Sequence, residues 1–188
     1  NYSELLVAPS TMRSSIIRLI DAEASRGENG RIIIKANSIT ERTLIDKLSE
    51  ASQKGVKINL IIRGICCLVP GIKGKTENIT VTSIVGRFLE HSRIYIFGNG
   101  ENSSMYISSA DIMTRNQTHR VEIGCPVYDK DIKDFISEYV NLLINDNVKS
   151  RILLPDGTYV KPIVTDSSKI IDAQRYYIDN PPVIAAPE

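Results

Sequence analysis

The chain is poor in the residues that most often announce a chemistry. It has only two histidines and three cysteines in 188 residues. Its formal net charge is +1, so neither sign dominates. That balance excludes bulk electrostatic attraction to nucleic acid or to a membrane surface, and any anion site must come from local clustering. No apolar run approaches the length of a membrane span, and no signal peptide opens the sequence. Cys66, Cys67 and Cys125 make an odd count with an adjacent pair, which is no disulfide framework, and their spacing fits no zinc motif. They read as small apolar fillers in a reducing cytoplasm. A reactive Cys66–Cys67 pair is the alternative, and it requires an electropositive, exposed setting. There is no internal repeat and no low-complexity tract.

What is present fits an ordinary globular protein: 42% hydrophobic and 24% charged residues. The length suits one good-sized domain, or one domain with an appendage, and buries a real core. The first residue is Asn1 rather than Met, so the chain reads as a piece of something longer.

The order of elements points to an α/β fold. Leu5-Leu-Val7 reads as a short strand, and Ser10 or Thr11 caps a helix whose buried side carries Ile16, Ile17, Leu19 and Ile20 up to Arg26. Arg31-Ile-Ile-Ile-Lys-Ala36 is a continuous apolar strand, as in a sheet covered on both faces. A helix from about Glu41 to Lys54 follows, then the strand Val56–Ile62. This β-α-β order calls for a parallel pair. Arg63 occupies the carboxyl end of that strand, where ligands of open α/β sheets sit; it is otherwise a surface arginine before a turn glycine. From Lys57 to Lys75 there are four basic residues and no acid, and the Gly/Pro loop Val69–Lys75 can lie over a polyanion. No aromatics interleave with those charges, which counts against single-stranded nucleic acid.

The segment around which the chain is organised is Gly86-Arg-Phe-Leu-Glu-His-Ser-Arg-Ile-Tyr-Ile-Phe-Gly98, which follows a short strand at Ile79–Ile84. His91 and Arg93 alternate at the start of a strand and so can face one site. A turn at Gly98-Asn-Gly100 returns the chain through Met105–Ile107 to Ser108, Ser109 and Asp111. An imidazole, a guanidinium, hydroxyls and an acid together suit phosphate chemistry. The alternative is a satisfied histidine before a buried strand. Arg115, His119 and Arg120 form a second basic group, with His119 as exposed loop, and Arg120 opens the strand Val121–Cys125. A helix from about Asp129 to Asn145 and a hairpin turning at Asp156-Gly157 follow. From Val164 the text turns polar and then rich in Pro and Ala, so residues 164–188 are expected to be an extended tail behind a domain of residues 1–163.

Several blocks carry a family resemblance: Val7-Ala-Pro-Ser-Thr-Met-Arg13, Arg31-Ile-Ile-Ile-Lys35, Ile61-Ile-Arg-Gly-Ile-Cys-Cys-Leu68, Ser83-Ile-Val-Gly-Arg-Phe-Leu-Glu-His-Ser-Arg-Ile-Tyr95 and Tyr106-Ile-Ser-Ser-Ala-Asp111. In this order they resemble the C-terminal domain of the bacterial polyphosphate kinases, over about residues 1–165. The resemblance implies a phospholipase-D-like α/β fold, a mixed or parallel sheet with helices on both faces. It also implies a second, related domain elsewhere in the enzyme. His91-Ser-Arg93 with Ser109 and Asp111 is similar to a drifted phospholipase-D motif, with Arg93 for the usual lysine and Gly98 where that motif has an aspartate.

The implied activity is reversible transfer of the terminal phosphate of ATP to polyphosphate, with Mg2+ held mainly outside this chain or by bound nucleotide. The nucleophilic histidine lies in the other domain, and no second His-x-Lys occurs here. By the resemblance, Arg63, His91 and Arg120 contact the ATP phosphates, His91 is catalytic, Lys35 and Arg93 add to the clamp, and Arg13 is as much structural as phosphate-binding. The implied partners are ATP or ADP, inorganic polyphosphate, the N-terminal portion of the same enzyme and further copies of it, with no nucleic acid. The implied location is cytoplasmic or peripheral to the membrane. Two other readings remain open: a phosphodiesterase half-site that dimerises to pair its His91 motifs, and a non-catalytic polyphosphate-binding module.

Overall fold

The computed structural model describes residues 4–182. Nine strands form a single sheet in the order β1-β7-β6-β5-β2-β3-β4-β8-β9. They are β1 (Leu6–Ala8), β2 (Arg31–Ala36), β3 (Lys57–Ile62), β4 (Ile79–Ile84), β5 (Arg93–Phe97), β6 (Ser104–Ser108), β7 (Glu122–Pro126), β8 (Ser150–Leu153) and β9 (Tyr159–Val160). The helices are α1 (Met12–Ser25), α2 (Arg42–Gln53), α3 (Thr114–Thr118), α4 (Lys130–Asn145) and α5 (Ala173–Asp179). β2, β3 and β4 run parallel, and the remaining pairs are antiparallel. The sheet is therefore mixed, as expected.

The alternation of strand side chains divides the core. Ile32, Ile34 and Ala36 of β2 pack with Met12, Ile16 and Ile20 of α1 and Leu44 and Leu48 of α2. Ile33 points to the opposite face and joins Ile136, Val140 and Leu143 of α4. Both faces of the central strands are covered, which is why β2 reads as an unbroken apolar run. Glu41 caps α2 by accepting from the Leu44 N–H, and Asp129 caps α4 by accepting from Ile132. Thr11 stands at the N-terminus of α1 as expected, but its side chain makes no capping bond.

Three expectations need correction. Residues 164–182 are not simply extended: Asp172 caps α5, and the buried Asp146 accepts from the Ala173 N–H at 2.8 Å. Ala173 is part of the core beneath α4, so the chain beyond residue 163 completes the domain. Only residues 183–188 of the expected tail lie outside the described residues. The loop Val69–Lys75 does not cover a site. It is tied back on itself by Thr76, Gly71 packs at Pro155 just past β8, and the chain crosses to the far end of the sheet to start β4. Finally, Cys67 and Cys125 are exposed rather than fillers. Burial pushes the Cys66 thiol upward, which works against a reactive pair. Among the described residues, no helix is long and apolar enough to cross a membrane.

Candidate phosphate-binding site

Strand direction brings the site together. β2, β3 and β4 are parallel, so their carboxyl ends share one edge of the sheet. Register places the start of β5 there (Lys35 opposite Ile94), then the end of β6 (Arg93 opposite Ser108) and the start of β7 (Ser108 opposite Gly124). Lys35, Asn37, Arg63, the segment 85–93, Ser109, Asp111 and Arg120 all reach that edge from strands distant in sequence.

A chain of polar contacts runs along the edge. Arg63 donates its Nε to Asn37 Oδ1 at 2.6 Å. Asn37 donates its backbone N–H to Asp111 Oδ1 at 2.6 Å and its Nδ2 to the two carboxylate oxygens at 3.0 and 3.3 Å. Arg93 grips the same carboxylate through Nε at 3.3 Å and Nη2 at 3.1 Å. Its Nη1 meets the Nδ1 of His91 at 3.2 Å and donates to the His91 carbonyl at 3.2 Å. Burial acts to raise the pKa of Asp111, but the Arg93 and Asn37 hydrogen bonds overcome it and hold the carboxyl below its ordinary value. Asp111 is thus a fixed anion that aims two cations.

The contact at His91 also sets its tautomer. A guanidinium has no acceptor, so Nδ1 must supply the lone pair and the proton must sit on Nε2. His91 is exposed, and a ring held this way turns its Nε2 outward.

A cavity of about 200 Å³ lies between Arg63 and the His91 segment, lined also by Gly86, Arg87 and Glu90. It is smaller than a site for a drug-sized ligand and suits a small charged group. A larger cavity, about 530 Å³, is a different place. It lies behind the same segment, under Phe88, Phe135, Tyr139 and Tyr177, and neither arginine nor histidine lines it. Of the two, only the smaller space is lined by arginine, Arg63 and Arg87, and neither is lined by histidine.

The other expected residues are placed as follows. Arg120 is exposed at the entry to β7, with no hydrogen bond or ion pair from its side chain to the described residues. Lys35 does not face an incoming phosphate. It is buried, pairs with Glu90 at 3.3 Å, donates to the Ser92 carbonyl at 3.3 Å and lies 5.9 Å from the Tyr139 ring. Burial lowers its pKa, the carboxylate of Glu90 opposes that, and Arg63 and Arg93 add to the lowering. Arg13 is tied to the α2 cap, pairing with Glu41 at 3.1 Å and donating to Thr43. Ser109 donates to Glu122, which also accepts from Asn116 at 2.7 Å, so it orders the β6–β7 end without touching His91. Gly98 lies at the far end of β5, beside Arg26 and Glu23. The missing acid there is remote from His91, and Asp111 supplies the carboxylate. His119 is exposed beside Thr118, as expected.

Asn37, Glu90, Tyr139 and Gln174 are participants that the sequence did not mark. Asn37 was within reach, because it follows β2 at the same kind of strand end that singled out Arg63. The other three carry no local signal.

The mixed sheet with helices on both faces is a phospholipase-D-like fold. Two solved structures share the fold, the first of them a phospholipase D family member. Nuc from Salmonella typhimurium matches with a TM-score of 0.53 at 16% identity, covering 73% of this chain and 91% of that one. NucT from Helicobacter pylori matches at 0.55 and 16%, covering 74% and 92%. At that identity they speak for the fold alone. A more specific match follows: the model of polyphosphate kinase C-terminal domain 2 fits residues 5–174, and this chain belongs to that family. The polyphosphate kinase of Staphylococcus epidermidis is 51% identical over 178 residues, covering 93% of this chain and 24% of its own length. That of Bacillus cereus is 47% identical over 177 residues, covering 93% and 25%. The crystal structure of polyphosphate kinase from Porphyromonas gingivalis superposes with a TM-score of 0.89 at 37% identity, covering 96% of this chain and 28% of that one. The chain spans about a quarter of the length of these relatives.

Proposed function

We propose that this chain is the second phospholipase-D-like domain of an ATP–polyphosphate phosphotransferase, which moves the terminal phosphate of ATP onto polyphosphate and back. The observation that carries the proposal is the contact chain from Arg63 through Asn37, Asp111 and Arg93 to His91. Phosphoryl transfer demands mainly positioning and neutralisation of negative charge. A guanidinium has five N–H donors. Arg63 commits one, to Asn37, and keeps the rest for phosphate oxygens. Arg120 commits none to the described residues. Arg93 commits four, to Asp111 and His91, so its main part is to hold the imidazole.

The same geometry supports a donor role for His91. A nucleophilic imidazole attacks through Nε2 while Nδ1–H is held by an acceptor. Here Nδ1 faces a cation and Nε2 carries the proton, so His91 donates a hydrogen bond to the transferring phosphate and does not form the covalent bond. The covalent phosphohistidine then belongs to the preceding domain of the complete enzyme. This also disfavours a phosphodiesterase that pairs two His91 nucleophiles.

Mg2+ is part of the proposal as a companion of the nucleotide. Among the described residues there is no group of three or more His, Cys, Asp and Glu side chains placed to hold a metal. The carboxylates at this edge are already taken, Asp111 by Arg93 and Asn37 and Glu90 by Lys35 and Tyr139, so the steps assigned to this chain run through its arginines and histidine. The further partners we propose are ADP, inorganic polyphosphate, the N-terminal portion of the same enzyme and further copies of it, with no nucleic acid. Ile107, Val121 and Ile123 lie exposed at the β6–β7 end of the sheet, a surface that supports packing against the rest of the enzyme. The proposed location is the cytoplasm, with peripheral association at the membrane.

The test is His91→Ala in the complete enzyme. Transfer to polyphosphate falls, while acid-labile phosphohistidine still forms from labelled ATP. Loss of the label with ATP binding intact makes His91 the phosphate carrier and overturns the assignment.

A further inference from the structure

The loop that carries His91 has little burial of its own. Residues 85–89 are exposed, as are His91 and Ser92. Its order comes from the α4–α5 side, and chiefly from one amide. Gln174, the second residue of α5, is buried. Its Oε1 accepts from the Phe88 N–H at 3.0 Å, and its Nε2 donates to the Phe88 carbonyl at 2.9 Å. Nε2 also donates to Glu90 Oε1 at 2.8 Å. The other oxygen of Glu90 accepts from the Tyr139 hydroxyl at 2.6 Å and pairs with Lys35 at 3.3 Å. Lys35 reaches on to the Ser92 carbonyl. Phe88, Glu90 and Ser92 are thus held from beneath, while the histidine between them is left outward.

A second observation is steric. A Cβ on Gly86 would lie 2.5 Å from the Oε1 of Gln174 and 3.0 Å from its Cδ. A glycine at this point admits the amide, and any larger residue displaces it.

We infer that Gln174 is a positioning residue for His91, acting through the Phe88 main chain and the Glu90 carboxylate. The inference rests on the donor role proposed for His91. Arg63 directly follows β3 and is oriented by Asn37, so the loop moves without it. Loss of the clamp therefore displaces His91 and impairs the transfer step.

The experiment uses the complete polyphosphate kinase that contains this chain. Gln174→Met keeps the length and removes the hydrogen bonds. Amide hydrogen exchange across residues 85–92 rises by about tenfold, the scale of one lost hydrogen bond. In the same variant kcat falls about tenfold. Gly86→Ala reproduces both effects by crowding the amide, and it decides the matter if Gln174→Met fails to fold. In a Gln174→Ala background Gly86→Ala adds little, because the clash is gone, so the two are non-additive. Unchanged loop exchange in both variants, a loosened loop with wild-type kcat, or additive effects of the pair each overturn the inference. The donor role fails separately, if His91→Ala transfers phosphate at the wild-type rate.

Discussion

Replacing Arg63 by lysine keeps the positive charge at the carboxyl end of β3 and removes everything else the guanidinium does there. The Nε bond to Asn37 at 2.6 Å is lost, and with it the planar fork that presents the remaining donors. A hydrogen bond to a charged group contributes about 1.5–3 kcal/mol, and about 1.4 kcal/mol corresponds to a factor of ten. Losing one phosphate contact therefore lowers kcat/KM for ATP by about tenfold or more. Asn37 is buried, and its Oδ1 is left without a donor, at a further cost of about 1–3 kcal/mol in stability. For a chain of this size that lowers Tm by about 2–4 °C per kcal/mol. Steady-state kinetics and thermal unfolding of the complete enzyme measure the two effects, with Arg63→Ala beside Arg63→Lys. Wild-type kinetics in Arg63→Lys would show that charge alone matters at this position. Wild-type kinetics in Arg63→Ala would remove Arg63 from the site.

Arg120→Ala lowers kcat/KM for ATP by about tenfold without lowering Tm, because its side chain carries no polar contact to the described residues; a stability loss with intact kinetics refutes the assignment. Asp111→Asn is less stable than the wild type at neutral pH, and the gap closes in acid. The folded carboxyl titrates below its unfolded value of about 3.9, so the unfolded chain binds more protons between the two values and stability rises with pH there. Chemical unfolding from pH 7 down to pH 3 checks this, and a gap that stays constant would exclude Asp111 as the titrating group. The 188-residue chain by itself folds but makes no polyphosphate from ATP, because it lacks the nucleophile; robust turnover by the purified chain would place that nucleophile at His91.

Much of the scaffold was legible from periodicity. The apolar run of β2, the stripe of Leu44 and Leu48 in α2 and the Gly98-Asn-Gly100 turn each act through neighbours a few residues away. The turn needs glycine because Gly98 and Gly100 take φ of +91° and +61°. Arg63 was legible too, since the carboxyl end of a parallel strand is a place before it is a contact. α5 was not. Its sequence has no apolar stripe, only Ala173 and Gln174 are buried in it, and what fixes it is Asp146 on the Ala173 N–H from 27 residues away.

The sequence by itself determined the α/β order, the parallel pair β2–β3, the family and the cluster of His91, Arg93 and Asp111 near one turn. Only the tertiary structure decided what each polar group does. Lys35 reads as a phosphate contact in the chain and is a buried anchor in the fold, because β5 and α4 bring Glu90 and Tyr139 over its amine. Asn37 reads as the residue after a strand and becomes the joint between Arg63 and Asp111, 74 residues from its acceptor. Gln174 lies 86 residues beyond the backbone it holds. The physical reason is common to all three. Apolar burial follows a period that one strand or helix contains, whereas a buried polar group takes its role from whichever partner the folded chain sets within hydrogen-bonding distance.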